Sequence, residues 1–141
     1  MEDLPTGQTA IPCSEVVRVK RGPDSKVQSY RVRIIAGRHR QVEGVNYTET
    51  FSATAKMPTV RAVLANTAHQ DWEIEHVDVK STYLNAPLKE MIYMKVLRGV
   101  LKPGEEGKVL RLLKGLYGLK QAGRGCYMEM MRVLIKELGF E

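Results

Sequence analysis

The chain has 141 residues, of which 43% are hydrophobic and 27% are charged, a composition that predicts a folded core and excludes wholesale disorder. The formal net charge of +6 at pH 7 favours a polyanionic partner such as nucleic acid. A basic surface without a partner explains the charge equally well. No signal-peptide pattern and no apolar run of about 18 residues are found, so an intracellular protein without membrane contact is expected.

The first predicted element is a β-hairpin. The run 15–20 is followed by turn-forming residues at 22–25, and from residue 30 to residue 36 apolar side chains alternate with arginines. This alternation predicts an antiparallel pair with one apolar face and one face that turns Arg31 and Arg33 toward solvent or a ligand. Solvated arginines without any ligand are the simpler interpretation of that face.

A loop and a helix are predicted next. Residues 44–56 have no clear period, which is typical of an ordered loop. Pro58 suits the first turn of a helix, and this helix is expected to end near Gln70. Apolar residues recur at helical spacing and predict one buried face, formed by Val60, Val63, Leu64, Thr67 and Ala68.

Three short strands and a second helix complete the pattern. Alternation predicts strands at 72–79 and 92–97, and a turn at Pro103-Gly104 precedes a strand at 109–112. A final helix is expected to stop at Gly139. Its predicted apolar face consists of Tyr127, Met130, Met131, Leu134 and Leu138. The whole order predicts an α+β fold without a linker between domains.

The two cysteines and three histidines predict no metal site. Cys13 and Cys126 lie far apart in the sequence and match no metal-ligand spacing, so free thiols are expected, with a disulfide as the alternative. The histidines also lack the spacing of a zinc site, and surface or structural roles are predicted for them.

Asp78 is the candidate metal ligand. It follows a short apolar run, and an aromatic residue, Tyr83, stands five residues further on. Such a carboxylate suits a divalent cation at a strand edge, although capping a helix or a turn is the more ordinary role. Two-metal phosphoryl transfer needs several carboxylates around ions about 3.5–4 Å apart. No second acidic pair of a suitable kind follows Asp78 before Glu141.

From about residue 4 to residue 140, the chain resembles the reverse transcriptase of Ty1/copia-type retrotransposons. Each matching segment is weak alone, but their order and spacing together are specific. The segments are 30–36, 44–52, 71–74, 78–80, 84–85, 92–95 and 116–122. The resemblance implies a partial fingers and palm fold, in which a β-hairpin and a small antiparallel sheet pack on two or three helices. Residues 1–70 are expected to be fingers-like and residues 71–141 to form a partial palm.

The resemblance also implies a chemistry, namely copying of an RNA or DNA primer–template with deoxynucleotides and Mg²⁺ (or Mn²⁺). Asp78 would be a catalytic residue and metal ligand, and Tyr83 would be the aromatic gate that collides with a ribose 2′-OH. Without the resemblance, Tyr83 would be a core aromatic and Tyr117-Gly118 an ordinary turn. Nucleotide-binding roles are implied for Arg31, Arg33, Tyr83, Tyr117, Gly118, Lys120 and Gln121.

The sequence also departs from the family's pattern. Ser14-Glu15 replaces an expected basic and aromatic pair, which puts a negative charge into the hairpin. The Tyr-x-Asp-Asp hairpin, which supplies the other two catalytic carboxylates, is not found. We therefore expect a reverse transcriptase fragment that is inactive alone, marginally stable, and completed by the rest of a polyprotein. The alternatives are a non-catalytic nucleic-acid-binding remnant and a module that docks onto another protein.

Overall fold

The computed structural model describes residues 1–140, which form two small β-sheets, two α-helices and short helical turns. In chain order, the elements are β1 (Ala10–Ile11), β2 (Cys13–Arg21), β3 (Val27–Ala36), a first 3-10 turn (Arg38–Arg40), α1 (Met57–His69), a second 3-10 turn (Thr82–Leu84), β4 (Pro87–Lys95), β5 (Val109–Lys114), α2 (Ala122–Arg132) and a π-helical extension of α2 (Val133–Glu137). This mixed arrangement of small sheets and helices is compatible with the expected partial fingers and palm fold.

The predicted hairpin is confirmed, because β2 pairs with β3 in antiparallel register. Val17 lies opposite Val32, and Arg18 lies opposite Arg31. Since successive side chains point to opposite faces of a strand, one face of the hairpin is apolar and the other carries the arginines. The apolar face is open to solvent; the side chain of Tyr30 on it is 69% exposed.

The second sheet has the strand order β1-β4-β5. Strands β4 and β5 are antiparallel, as expected, with Ile92 opposite Leu112. Strand β1, however, pairs in parallel with β4, and Ala10 lies opposite Tyr93. The expectation of a purely antiparallel sheet was therefore wrong. A strand of two residues is too short to have a periodicity that the sequence could reveal.

The core lies where this sheet, the end of β3 and the start of α2 meet. Its buried members are Ile11, Ala36, Ile92, Met94, Leu119 and Ala122. The backbone N–H of Ala36 donates a hydrogen bond to the carbonyl of Tyr117 at 2.8 Å. The hairpin is consequently anchored at its root to the loop between β5 and α2, residues 115–121 (loop 115–121).

The prediction of a strand at residues 72–79 was wrong. This segment has no regular secondary structure, and every one of its side chains is exposed, including Trp72, Ile74 and Val77. A strand is stable only when its backbone N–H and C=O groups are paired with a neighbouring strand. Within residues 1–140, no strand pairs with this segment, so its alternating pattern does not produce a strand.

The helix α1 begins and ends close to the predicted residues, but its predicted buried face is mostly exposed. Val60, Val63 and Leu64 face solvent, and of the predicted face only Thr67 is buried. The Thr67 hydroxyl donates a hydrogen bond to the carbonyl of Val63 at 2.8 Å. The helical period was thus a correct guide to the helix and a poor guide to burial, which depends on a packing partner.

The second helix ends as predicted. Gly139 adopts a φ of 71°, and the N–H of Phe140 donates to the carbonyl of Leu134 at 3.0 Å, which closes the last turn. The predicted apolar face is only partly covered, since Met130 and Leu138 are exposed. Among residues 1–140, no helix combines the length and the apolar character that crossing a membrane requires.

Candidate nucleic-acid interface

Three of the predicted nucleotide-binding residues meet at the root of the hairpin. Strand β3 supplies Arg33, loop 115–121 supplies Tyr117, and the second 3-10 turn supplies Tyr83. The guanidinium carbon of Arg33 lies 5.7 Å from the centre of the Tyr117 ring. The rings of Tyr117 and Tyr83 meet edge-on, with 5.2 Å between their centres and an angle of 79°. This arginine–tyrosine cluster combines a cation–π contact with an aromatic pair.

Two glycines allow the cluster to form. Gly118 adopts a φ of 93°, and a Cβ at this position would collide with the carbonyl oxygen of Ala36. Gly118 was predicted to permit close backbone approach, and the group that it approaches is the hairpin root. A Cβ on Gly115 would likewise collide with the carbonyl oxygen of Tyr83. Sequence reasoning missed Gly115, whose only signal is its place directly after β5.

The hairpin presents a row of cations on the face opposite its apolar face. Arg18 and Arg31 lie directly across from each other, Arg33 lies opposite Val16, and Lys20 lies opposite Ser29. We call Arg18, Lys20, Arg31 and Arg33 the basic face. Like charges placed directly opposite each other destabilise a sheet. Since none of the four has an ion-pair partner within residues 1–140, a bound polyanion would relieve this repulsion.

The acidic residue that departs from the family's pattern does not disturb the basic face. Glu15 lies opposite Ile34, on the apolar face of the hairpin. The register of the strands therefore separates this carboxylate from the four cations. Arg18 and Lys20 join the candidate site only through the same register, which the sequence alone does not define.

Lys120 and Gln121 lie on the other side of loop 115–121. The ammonium of Lys120 donates to the hydroxyl of Tyr47 at 3.0 Å and lies 4.4 Å from the centre of that ring. Gln121 is buried, and its side-chain amide donates to the carbonyl of Asn46 at 2.7 Å and accepts from the amide of Gln41 at 2.9 Å. A direct contact between Gln121 and a nucleotide stays a prediction, because the amide is engaged inside the protein.

Asp78 lies apart from these groups in the exposed segment 72–79. Its carboxylate accepts no hydrogen bond and forms no ion pair with another described residue. The turn that follows is better fixed, because the Thr82 hydroxyl donates to the carbonyl of Val79 at 2.7 Å and the Asn85 amide donates to that of Lys80 at 3.3 Å. Ser81 between them adopts a left-handed conformation with a φ of 52°.

The described residues do not by themselves fit a two-metal centre. Within residues 1–140, no three side chains of histidine, cysteine, aspartate or glutamate converge on a common point. Mg²⁺ needs octahedral oxygen coordination and is usually held by one or two carboxylates together with water and substrate phosphates. Asp78 could supply one of these ligands, and the other carboxylate ligands would have to come from outside the described residues.

A small cavity of about 270 Å³ adjoins the arginine–tyrosine cluster. It is lined by Ser52, Ala53, Thr82, Tyr83, Gly123, Cys126, Tyr127 and Met130. Burial raises the pKa of the Cys126 thiol, and burial together with the charge of Glu15 raises the pKa of Cys13. Both cysteines are free thiols, as expected. Their raised pKa values keep them protonated at neutral pH, so they are poor nucleophiles.

Comparison with known proteins identifies the family. Residues 1–141 match the family described as reverse transcriptase (RNA-dependent DNA polymerase). The chain is 37% identical over 127 residues to the retrovirus-related Pol polyprotein from transposon TNT 1-94 of Nicotiana tabacum, an alignment that covers 90% of the chain and 10% of the relative. It is 32% identical over 136 residues to the Pol polyprotein from transposon RE1 of Arabidopsis thaliana, which covers 96% and 9%.

A yeast relative completes the comparison. The chain is 38% identical over 94 residues to the transposon Ty1-BL Gag-Pol polyprotein of Saccharomyces cerevisiae, which covers 67% of the chain and 5% of the relative. No solved structure matches the chain. The chain spans about a tenth or less of the length of these curated relatives. Because the match extends over its whole length, the chain belongs to the reverse transcriptase family and corresponds to a segment of the Ty1/copia-type retrotransposon Pol polyproteins.

Proposed function

We propose that the chain is the fingers and part of the palm of an RNA-directed DNA polymerase and that it holds the primer–template and the incoming deoxynucleotide. Residues 1–70 would form the fingers and residues 71–141 the partial palm. The observation that carries this proposal is the arginine–tyrosine cluster, in which Arg33, Tyr117 and Tyr83 come together from three separate parts of the chain at the end of the basic face.

The basic face is suited to phosphate groups. Guanidinium groups donate two parallel hydrogen bonds to one anion, so Arg31 and Arg33 can each bind a phosphate of the nucleic acid or of the triphosphate. Binding also offsets the repulsion between Arg31 and Arg18. Phosphate contacts of this kind give affinity without reading the base sequence.

The tyrosines are suited to the bases and sugars. Aromatic rings provide a surface on which any base can stack. Tyr117 and Tyr83 would supply such a surface at the root of the basic face, and the ring of Tyr83 would exclude a ribose 2′-OH by collision. The hydroxyl of Tyr83 leaves this steric role unchanged.

Catalysis would need more than this chain supplies. Asp78 would bind Mg²⁺ (or Mn²⁺), which would position and activate the reacting groups of the two-metal reaction. The further carboxylates would come from another part of the Pol polyprotein. We therefore expect the 141-residue chain alone to extend no primer in the presence of Mg²⁺ and deoxynucleotides. Primer extension that Asp78→Asn abolishes would contradict this expectation.

Binding of an RNA·DNA primer–template, followed by fluorescence anisotropy over a range of salt concentrations, tests the proposed interface. Each lost phosphate contact lowers the slope of log K against log salt by about 0.7–0.9. The double variant Arg31→Ala, Arg33→Ala should therefore lower the slope by about 1.5. Arg98→Ala with Lys102→Ala is the matched control, because it removes two exposed cations from the connection between β4 and β5. Equal slopes for both double variants would remove the hairpin from the interface.

A second function is favoured by the exposed apolar side chains. Val32 on the hairpin and Val63 on α1 are both about 60% exposed, and exposed apolar patches are typical of surfaces that bind other proteins. A protein-interaction role would appear as association with another part of the polyprotein that does not weaken with salt. Association that salt abolishes would contradict this second function.

A further inference from the structure

A buried network of amides joins two loops behind the arginine–tyrosine cluster. The side chains of Gln41, Asn46 and Gln121 have exposed fractions of 6%, 1% and 6%. The amide of Gln41 donates to Gln121 at 2.9 Å, and the amide of Gln121 donates to the backbone carbonyl of Asn46 at 2.7 Å. The Asn46 side chain accepts from the N–H of Val42 at 3.0 Å. Loop 115–121 is thereby fastened to residues 41–47.

Buried amides are rarely placed without a reason. An amide that loses its partner inside a protein incurs the full cost of desolvation, so such a network specifies one arrangement of its members. Within residues 1–140, every buried side-chain nitrogen and oxygen atom has a hydrogen-bond partner. The network therefore holds one geometry of the two loops and of the groups attached to them.

The group that this geometry holds is Lys120. Its backbone N–H donates to the side-chain oxygen of Gln41 at 2.9 Å, and its ammonium donates to the Tyr47 hydroxyl at 3.0 Å. The Tyr47 ring also lies 4.4 Å from the ammonium nitrogen. An ammonium has three donors, so two remain for a ligand. Among the described residues, no carboxylate forms an ion pair with Lys120.

We propose that Gln41 and Tyr47 are positioning residues that hold Lys120 ready to bind a backbone phosphate of the nucleic acid. Lysine is a flexible side chain, and fixing it before binding removes an entropic cost from the binding step. Lys120 lies in the same loop as Tyr117, which contacts Arg33 on the basic face. Lys120 thus adds one fixed cation beyond the end of that row. This inference rests on the proposed function.

The test measures the slope of log K against log salt for RNA·DNA primer–template binding in four proteins besides the unaltered chain. These proteins carry Lys120→Met, Tyr47→Phe, Gln41→Leu, or Gln41→Leu with Lys120→Met. Loss of one phosphate contact should lower the slope by about 0.7–0.9 in Lys120→Met. Gln41→Leu should lower it similarly, and the double variant should show no further decrease. Tyr47→Phe keeps the ring and the buried amides and should lower the slope by a smaller amount.

The slope separates positioning from a merely structural role. A variant that only reduces the folded fraction weakens binding equally at every salt concentration and leaves the slope unchanged. A lower slope in Lys120→Met with unchanged slopes in Tyr47→Phe and Gln41→Leu would overturn the positioning role. If Gln41→Leu does not fold, Tyr47→Phe decides alone. If Lys120→Met is neutral but Arg31→Ala with Arg33→Ala is not, this inference fails and the proposed function stands. If both are neutral, both fail.

Discussion

Two regions of the chain have similar apolar content and opposite environments. In the first, the β1-β4-β5 sheet, the hairpin root and loop 115–121 enclose a core in which Ile92 is fully buried. In the second, residues 51–79, apolar side chains face solvent, and Val77 is 80% exposed. We call these the anchored region and the open region. The comparison shows that local pattern produces helices, whereas burial requires a partner within reach.

The comparison also separates binding from catalysis. The arginine–tyrosine cluster and Lys120 are attached to the anchored region by hydrogen bonds and close backbone contacts. Asp78 lies in the open region, without a partner for its carboxylate among the described residues. We infer that the groups proposed to bind nucleic acid are held rigidly, while the candidate metal ligand becomes ordered only when another segment packs on residues 72–79.

The largest expected effect is a loss of stability confined to the anchored region. Ile92→Ala removes a fully buried side chain and should lower the free energy of unfolding by about 2–5 kcal/mol. Val63→Ala, in the open region, should change it by less than about 0.5 kcal/mol. Urea denaturation of the two variants measures the difference. Equal losses would show that the two regions do not differ as described.

A smaller effect is expected at the contact between the hairpin root and loop 115–121. Gly118→Ala combines an unfavourable φ of 93° with a collision against the Ala36 carbonyl and should cost about 3 kcal/mol of unfolding free energy. Gly107→Ala is the control, because Gly107 has a φ of 87° and open space around it. It should cost only about 1–2 kcal/mol. Thermal unfolding of both variants would contradict the contact if the two costs were the same.

Nucleic-acid binding should depend on which tyrosine is removed. Tyr117→Leu eliminates a ring that would stack on a base, a loss of about 1–3 kcal/mol of binding free energy. Tyr30→Leu removes an exposed ring from the apolar face of the hairpin and should leave the affinity unchanged. Anisotropy titrations with one primer–template compare them. A larger loss for Tyr30→Leu would place the nucleic acid on the other face.

The smallest expected effect concerns the thiols. Because their pKa values are raised, Cys13 and Cys126 should be alkylated at pH 7 more slowly than a free cysteine, whose pKa is about 8.5. Their rates should still be rising with pH above that value. Mass spectrometry of iodoacetamide-treated protein measures both rates. Alkylation at neutral pH as fast as that of free cysteine would show that these sites are not shielded.

The sequence was a good guide wherever a local pattern was enough. Turn residues at 22–25, Pro58 at the start of α1 and Gly139 at the end of α2 correctly predicted a hairpin and two helices. It was a poor guide where distant partners decide. The parallel pairing of β1, the exposure of Val63 and the irregular segment 72–79 all depend on which elements meet in space.

The same distinction holds for the candidate site. The family resemblance selected Arg33, Tyr83 and Tyr117, which come together in the structure. It did not select Gln41 and Tyr47, whose contacts with Lys120 and Gln121 connect residues more than 70 positions apart. A single sequence contains no signal for such pairs.

Photocrosslinking tests most directly the claim that nucleic acid lies along the basic face and ends on the arginine–tyrosine cluster. A primer–template that carries 5-iodouracil would be irradiated with the chain, and the crosslinked residues would be identified by mass spectrometry. Crosslinks at Tyr117 or Tyr83 are the predicted result. Crosslinks confined to Tyr30 on the apolar face, or to Trp72 in the open region, would contradict it.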